Sequence, residues 1–197
     1  MSHVVLLGDS IFDNAPYIGD TPDLVRQLRQ HLPHGSKATL NAIDVSTTED
    51  VHKQLRRLPK DASHLIVSAG GNDALGSSNI LNAPARSTAE ALLELAGIAN
   101  QFEHKYQRML TEVLAYELPT AICTVYYPRF ADWALQTVAV TGLTVFNDCI
   151  IRAAFAHGIP LLDLRFICTD EGDYANSIEP SSQGGEDRLC DLEGAGM

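Results

Sequence analysis

The 197-residue chain is short of positive charge: 14 Lys and Arg stand against 25 Asp and Glu, a formal net charge of −11. Binding to a phosphate backbone draws on cationic side chains, so no nucleic-acid partner is expected. Cysteine is scarce as well. Cys123, Cys149, Cys168 and Cys190 are widely spaced, with no CxxC pair and no nearby run of histidines, a pattern that suggests neither a metal centre nor a redox motif; buried free thiols are expected. No uninterrupted run approaches the roughly 20 apolar residues of a membrane span. Only Met1, Ser2 and His3 precede the first apolar run, which leaves no room for a signal peptide, so the expectation is a cytoplasmic protein without a membrane span. Neither GxGxxG nor a Walker loop follows that first run, which weighs against a nucleotide or flavin binder. Internal repeats, low-complexity tracts and linkers are also missing.

What the chain does have is a core's worth of apolar residues, 45% of the total, enough for one domain. The expected domain spans residues 1–192, with 193–197 (EGAGM) as a frayed tail. Five short apolar runs read as strands: VVLLG (4–8), ATLNAI (38–43), HLIVSAG (64–70), TAICTVYY (120–127) and IPLLDL (159–164). Helical patterns separate them. Thr21-Pro22 opens one through Leu32, Thr47 or Thr48 caps another through Leu58, and longer ones run from Ser87 to Tyr116 and from about Leu143 to His157. Strand and helix in strict alternation imply an α/β fold of three layers, α/β/α, around a five-stranded parallel sheet. Ligands in such folds sit beyond the carboxyl ends of the strands, where strand order reverses. Residues 76–86 and 128–141 lack periodicity and read as loops over that rim.

Two strand ends carry candidate chemistry. VVLLGDS places Ser10 just past the first, supported by Gly8 and Asp9; HLIVSAGGND places Asn72 past the third, with Gly70, Gly71 and Asp73 around it. Taken singly, each is an ordinary turn. Together, in this order, they resemble the SGNH (GDSL) hydrolase family over Val4 to about Leu189, with its flavodoxin-like succession of elements. The resemblance implies that Ser10 is the nucleophile. It also implies an oxyanion hole made of the Ser10 N–H, a glycine N–H after the second strand and the Asn72 side chain. Fixed donors of this kind are worth about 3 kcal/mol each to a tetrahedral intermediate. Val45 stands where the family has its glycine, so that donor requires a turn without positive φ.

The family's last block, Asp-x-x-His before a proline, reads NSIEPSSQGG here: Asn176 replaces the aspartate and Glu179 the histidine. Three readings stay open. The protein is a catalytically silent relative that binds a carbohydrate or acyl ligand, or another histidine serves, or Glu179 is the base. His3, His31, His34, His64 and His157 fall at the opposite rim and are expected to face solvent or cap helices, and His104 lies mid-helix; only His52 begins near the right rim. A buried glutamate with a raised pKa can take a hydroxyl proton. Asn176 can donate an amide N–H to it without adding the repulsion an aspartate would. One of Asp170, Glu171 and Asp173 is expected to tune Glu179.

The favoured reading is a serine hydrolase that cleaves carboxylic esters or thioesters through an acyl-enzyme, with Ser10 as nucleophile, Glu179 as base and Asn176 as its orienter. Ser10, Val45 and Asn72 form the oxyanion hole, and no metal or cofactor is implied. The expected partner is a small ester, thioester or acylated molecule. Tyr126, Tyr127, Phe130 and Trp133 either line an acyl or aryl pocket or belong to the core or an oligomer contact. Oligomeric state is not legible.

Overall fold

The computed structural model describes residues 2–185. Cys190, the end of the expected domain and the 193–197 tail lie outside the described residues. The strands are β1 (His3–Gly8), β2 (Lys37–Leu40), β3 (His64–Ser68), β4 (Thr120–Cys123) and β5 (Leu161–Leu162). They form one parallel sheet in the order β2-β1-β3-β4-β5. The chain steps outward from β1 to β2 and then crosses back to β3, so the reversal lies between β1 and β3. The GDS and GGND segments leave the sheet there.

Alternation along β1 divides the core into two layers, because successive side chains of a strand point to opposite faces. Val4 and Leu6 pack against α1 (Leu24–His31). Val5 and Leu7 pack against α2 (Val51–Leu55), α4 (Thr88–Leu114) and α5 (Trp133–His157). The remaining helices are short: α3 (Gly71–Gly76) follows β3 directly, and α6 (Leu164–Ile167) follows β5. Cys123, Cys149 and Cys168 are buried, and none is in a disulfide among the described residues.

Three boundaries differ from the sequence reading. Helix α1 is capped by Asp23, whose carboxylate accepts from the Arg26 N–H at 2.8 Å, two residues later than Thr21-Pro22 suggests. Residues 76–86 are not simply a loop, since α3 runs into a 3-10 turn at Ser78–Asn82. Helix α5 starts at Trp133, ten residues before Leu143, with Asp132 capping the Leu135 N–H at 2.7 Å. Its first half carries no charge from 133 to 147. Without a polar stripe, it shows none of the periodicity that marks an amphipathic helix. By length and composition α5 also suffices to cross a membrane, contrary to the expectation that no segment comes close; its second half is buried in the domain through Phe146, Cys149, Ile150 and Ala153.

Candidate active site

Gly8 ends β1 with φ 130, and a Cβ there would stand 1.7 Å from the Ser68 carbonyl oxygen. Only glycine lets the first and third strands part so closely. A buried side chain that sequence reasoning missed fixes this peptide: Gln54 of α2 donates to the Gly8 carbonyl and accepts from the Gly8 N–H, both at 2.8 Å. The same device appears at the end of β4, where Asn147 of α5 clamps both polar groups of Val125 at 2.8 Å. Nothing in the local pattern marks Gln54 or Asn147. Each is a polar residue on a buried helix face, which is the one available signal.

From this turn Ser10, almost fully buried, opens into a cavity of about 320 Å³ that Asn72 and Glu179 also line. The Glu179 atom Oε2 is buried without a partner among the described residues. Burial raises the Glu179 pKa, the neighbouring Ser10 side chain opposes the rise, and the negative charge of Asp44 adds to it. Asp170, Glu171 and Asp173 therefore do not tune Glu179 as expected. Asp170 and Asp173 instead form a capping box around the Glu171–Asp173 turn.

The Glu179 loop is held from several sides. Asn176 acts through the backbone: its Oδ1 accepts from the N–H groups of Ile178 and Glu179, both at 2.9 Å. This corrects the expected amide donation to the carboxylate, because the exposed Asn176 side chain turns back over its own loop. The Tyr126 hydroxyl donates to the Ile178 carbonyl, and the Arg129 N–H donates to the Ser177 carbonyl at 2.7 Å. Thus the segment that leaves β4 holds the loop that carries Glu179.

Of the expected oxyanion donors, the Ser10 N–H finds no acceptor among the described residues. Asn72 gives one amide hydrogen to the Ser46 carbonyl at 2.9 Å and keeps a second, since the amide nitrogen carries two. Val45 does not join them. The turn demands φ 56, and in that conformation the Val45 N–H points to Asp44 Oδ1 at 2.7 Å while its side chain is 74% exposed. The other oxygen of Asp44 accepts from Tyr17 at 2.6 Å, which raises the tyrosine pKa. Asp73 fixes the neighbouring turn by accepting from the Thr48 N–H at 2.9 Å and the Thr48 hydroxyl at 3.0 Å. Gly70, at φ 126, abuts Phe102, and Gly71 approaches the Asp9 carboxyl. Asp9 is fully buried, and desolvation pushes its pKa up to about 7.

The histidines stay outside this cavity. His52 holds the Glu49 carbonyl at 2.6 Å and lines a separate surface cleft with Lys105 and Arg108. His3, expected to face solvent or cap a helix, is instead buried between Asp61 and Thr39, at 2.9 and 2.7 Å, because its strand lies inside the sheet. Among the aromatics, Tyr126 and Phe130 line the cavity; Trp133 is exposed.

Residues 6–185 match the model of the GDSL-like lipase/acylhydrolase family. The chain belongs to this family. Solved structures with the same fold include an extracellular lipase from Streptomyces rimosus, 15% identical with TM-score 0.72 over 99% of this chain and 100% of that one. The lipase Lip_vut3 from a goat rumen metagenome is 19% identical with TM-score 0.75 over 100% and 98% of the two chains. Phospholipase A1 from Streptomyces albidoflavus is 17% identical with TM-score 0.69 over 98% and 99%. No curated protein sequence matches. Family membership supports an ester-hydrolase function.

Proposed function

We propose that the protein is a serine ester hydrolase that works through a Ser10–Glu179 pair. One observation carries this reading: Ser10 and Glu179 line the same mostly apolar cavity, where burial raises the Glu179 pKa and one carboxyl oxygen is buried without a partner among the described residues. The Ser10 oxygen attacks the carbonyl carbon of an ester while its proton passes to Glu179. The Ser10 N–H and the spare amide hydrogen of Asn72 face the resulting oxyanion. Collapse of the tetrahedral intermediate breaks the bond to the leaving oxygen, which takes the proton back from Glu179. Water then attacks the acyl-enzyme with Glu179 again as base, freeing the acid and restoring Ser10. With the Val45 N–H engaged elsewhere, the oxyanion has two donors rather than three.

A fluorophosphonate probe and a panel of aryl esters test this. Labelling is expected at Ser10, and Ser10→Ala is expected to abolish hydrolysis. Glu179→Gln is expected to lose most activity, because its amide matches the carboxylate in size but cannot take the proton. The acid limb of the pH profile should hardly move on warming, since carboxyl ionisation carries little enthalpy. A full-rate Glu179→Gln enzyme overturns the base; no labelling and no turnover by wild type would leave a silent binding protein.

A further inference from the structure

The C-terminal halves of α4 and α5 lie side by side on the sheet. Cys149 reaches the Ala99 carbonyl, Arg152 pairs with Glu103 at 2.6 Å, and His157 meets Gln107, so the two helices run parallel. Their buried residues lie from Phe102 onward in α4 and from Phe146 onward in α5. The N-terminal halves contain no fully buried residue. There the gap between the helices becomes part of the cavity that begins at Ser10: Leu135, Val138, Ala139 and Gly142 from α5 face it, with Leu95 and Ile98 from α4. Spacings of three and four residues put each set on a single helical face.

Gly142 is the informative member. Apart from proline, glycine is the poorest helix former, yet it occupies the middle of a 25-residue helix. A Cβ added at this position meets nothing within 4 Å, so no close packing requires the glycine. What its absent side chain does is leave the cavity open. The charge of the lining is equally one-sided. Among the described residues that line it, the ionisable groups are the carboxyls of Asp9 and Glu179 and the Tyr126 hydroxyl, with no lysine, arginine or histidine.

We propose that the gap between the N-terminal halves of α4 and α5 is an acyl-chain channel that takes a medium-length saturated chain from an uncharged ester, with Gly142 setting how long a chain fits. The volume is at the lower end of small-molecule sites, which run from roughly 300 to 1,000 Å³, and suits one chain rather than two. An anionic leaving group such as a nucleotide phosphate would meet carboxylates without a compensating cation. The inference rests on the Ser10 reading for the position of the ester, but chain binding itself does not need the reaction.

The experiment therefore has two arms. In the first, kcat/KM is measured for p-nitrophenyl acetate, butyrate, octanoate and dodecanoate and for octanoyl coenzyme A. Wild type is expected to favour octanoate over acetate by roughly tenfold or more and to discriminate against the coenzyme A thioester. Gly142→Leu and Ala139→Leu, each confirmed folded by circular dichroism, are expected to collapse the octanoate-to-acetate ratio. In the second arm, decanoic acid displaces a fluorescent fatty acid from Ser10→Ala, and adding Gly142→Leu weakens that displacement by a similar factor. If the esters are not turned over but fatty-acid binding depends on Gly142, the channel stands and the catalytic reading falls. A flat chain-length profile in wild type, a ratio that survives both leucines, or fatty-acid binding indifferent to Gly142 overturns the channel.

Discussion

Val45 adopts φ 56, a conformation that crowds a β-branched side chain and costs about 1–2 kcal/mol. Its side chain is largely exposed and contributes little packing. Glycine at this position removes the strain but adds chain entropy to the unfolded state, about 0.5–1 kcal/mol, so strain relief prevails narrowly. Val45→Gly is expected to stabilise the protein by up to about 1 kcal/mol, a rise of roughly 2–4 °C in Tm for a chain of this size. A lowered Tm would show that the left-handed valine is not strained. Asn72 supplies a second residue-level test. If its spare amide hydrogen meets the oxyanion, Asn72→Ala lowers kcat by about 10²-fold with a smaller change in KM, whereas loss of the Ser46 bond alone would act on stability. At this scale the sequence was legible where the chemistry is local: Ser10, Asn72 and Glu179 line one cavity. It was illegible where a side chain had to choose between partners. Asn176 holds its loop rather than the carboxylate, and Asp44, distant in sequence, is the acid that acts on Glu179.

At the level of elements, two buried amides show how strand ends are held open for function. A peptide that leaves a sheet has lost its ladder partners, and an unpaired buried N–H or C=O costs about 1–3 kcal/mol. Gln54 bonds both the N–H and the carbonyl of Gly8, a carbonyl that also accepts from the Ile43 N–H at 3.2 Å, and Asn147 bonds both groups of Val125. Gln54→Leu and Asn147→Leu are each expected to lose roughly 2–4 kcal/mol in urea titrations. Their kinetics should differ. Gly8 sets the direction of the turn that carries Ser10, the proposed nucleophile, so the Gln54 variant is expected to lose kcat beyond its loss of stability. The Asn147 variant, acting behind Tyr126 and the Glu179 loop, is expected to show the smaller loss. Equal kcat in both would mean that Gln54 serves stability alone. The five strands were readable because short apolar runs between helices leave few alternatives. The first half of α5 was not, because a helix that lines an apolar cavity presents no polar stripe.

Across the whole molecule, the excess of acid gathers where it is most costly. Asp9, Asp44, Asp73 and Glu179 lie close enough at the carboxyl rim for their charges to raise the Asp9 pKa after burial has done most of the work. The folded-state value of about 7, against 3.8 for the ordinary group, means that the native state holds a proton which the unfolded chain releases. That difference favours folding fully below about pH 4 and is lost as pH rises through 7; the raised Glu179 pKa acts in the same direction. The protein is therefore expected to be less stable at pH 8 than at pH 5, by an amount on the order of a few kcal/mol from Asp9. On the proposed mechanism activity runs the other way, since a Glu179 base must lose its proton, so the same rise in pH that would start the reaction loosens the fold. Asp9→Asn separates the two effects: an amide Oδ1 can still accept from the Ile11 N–H, as Asp9 does at 3.3 Å, but it carries no charge to bury. Urea midpoints at pH 5 and pH 8 should converge in this variant, and the gain over wild type should be larger at pH 8 than at pH 5. If the midpoints of Asp9→Asn fall with pH as steeply as those of wild type, the alkaline loss originates in another group, and the buried aspartate beside Ser10 is not what limits stability.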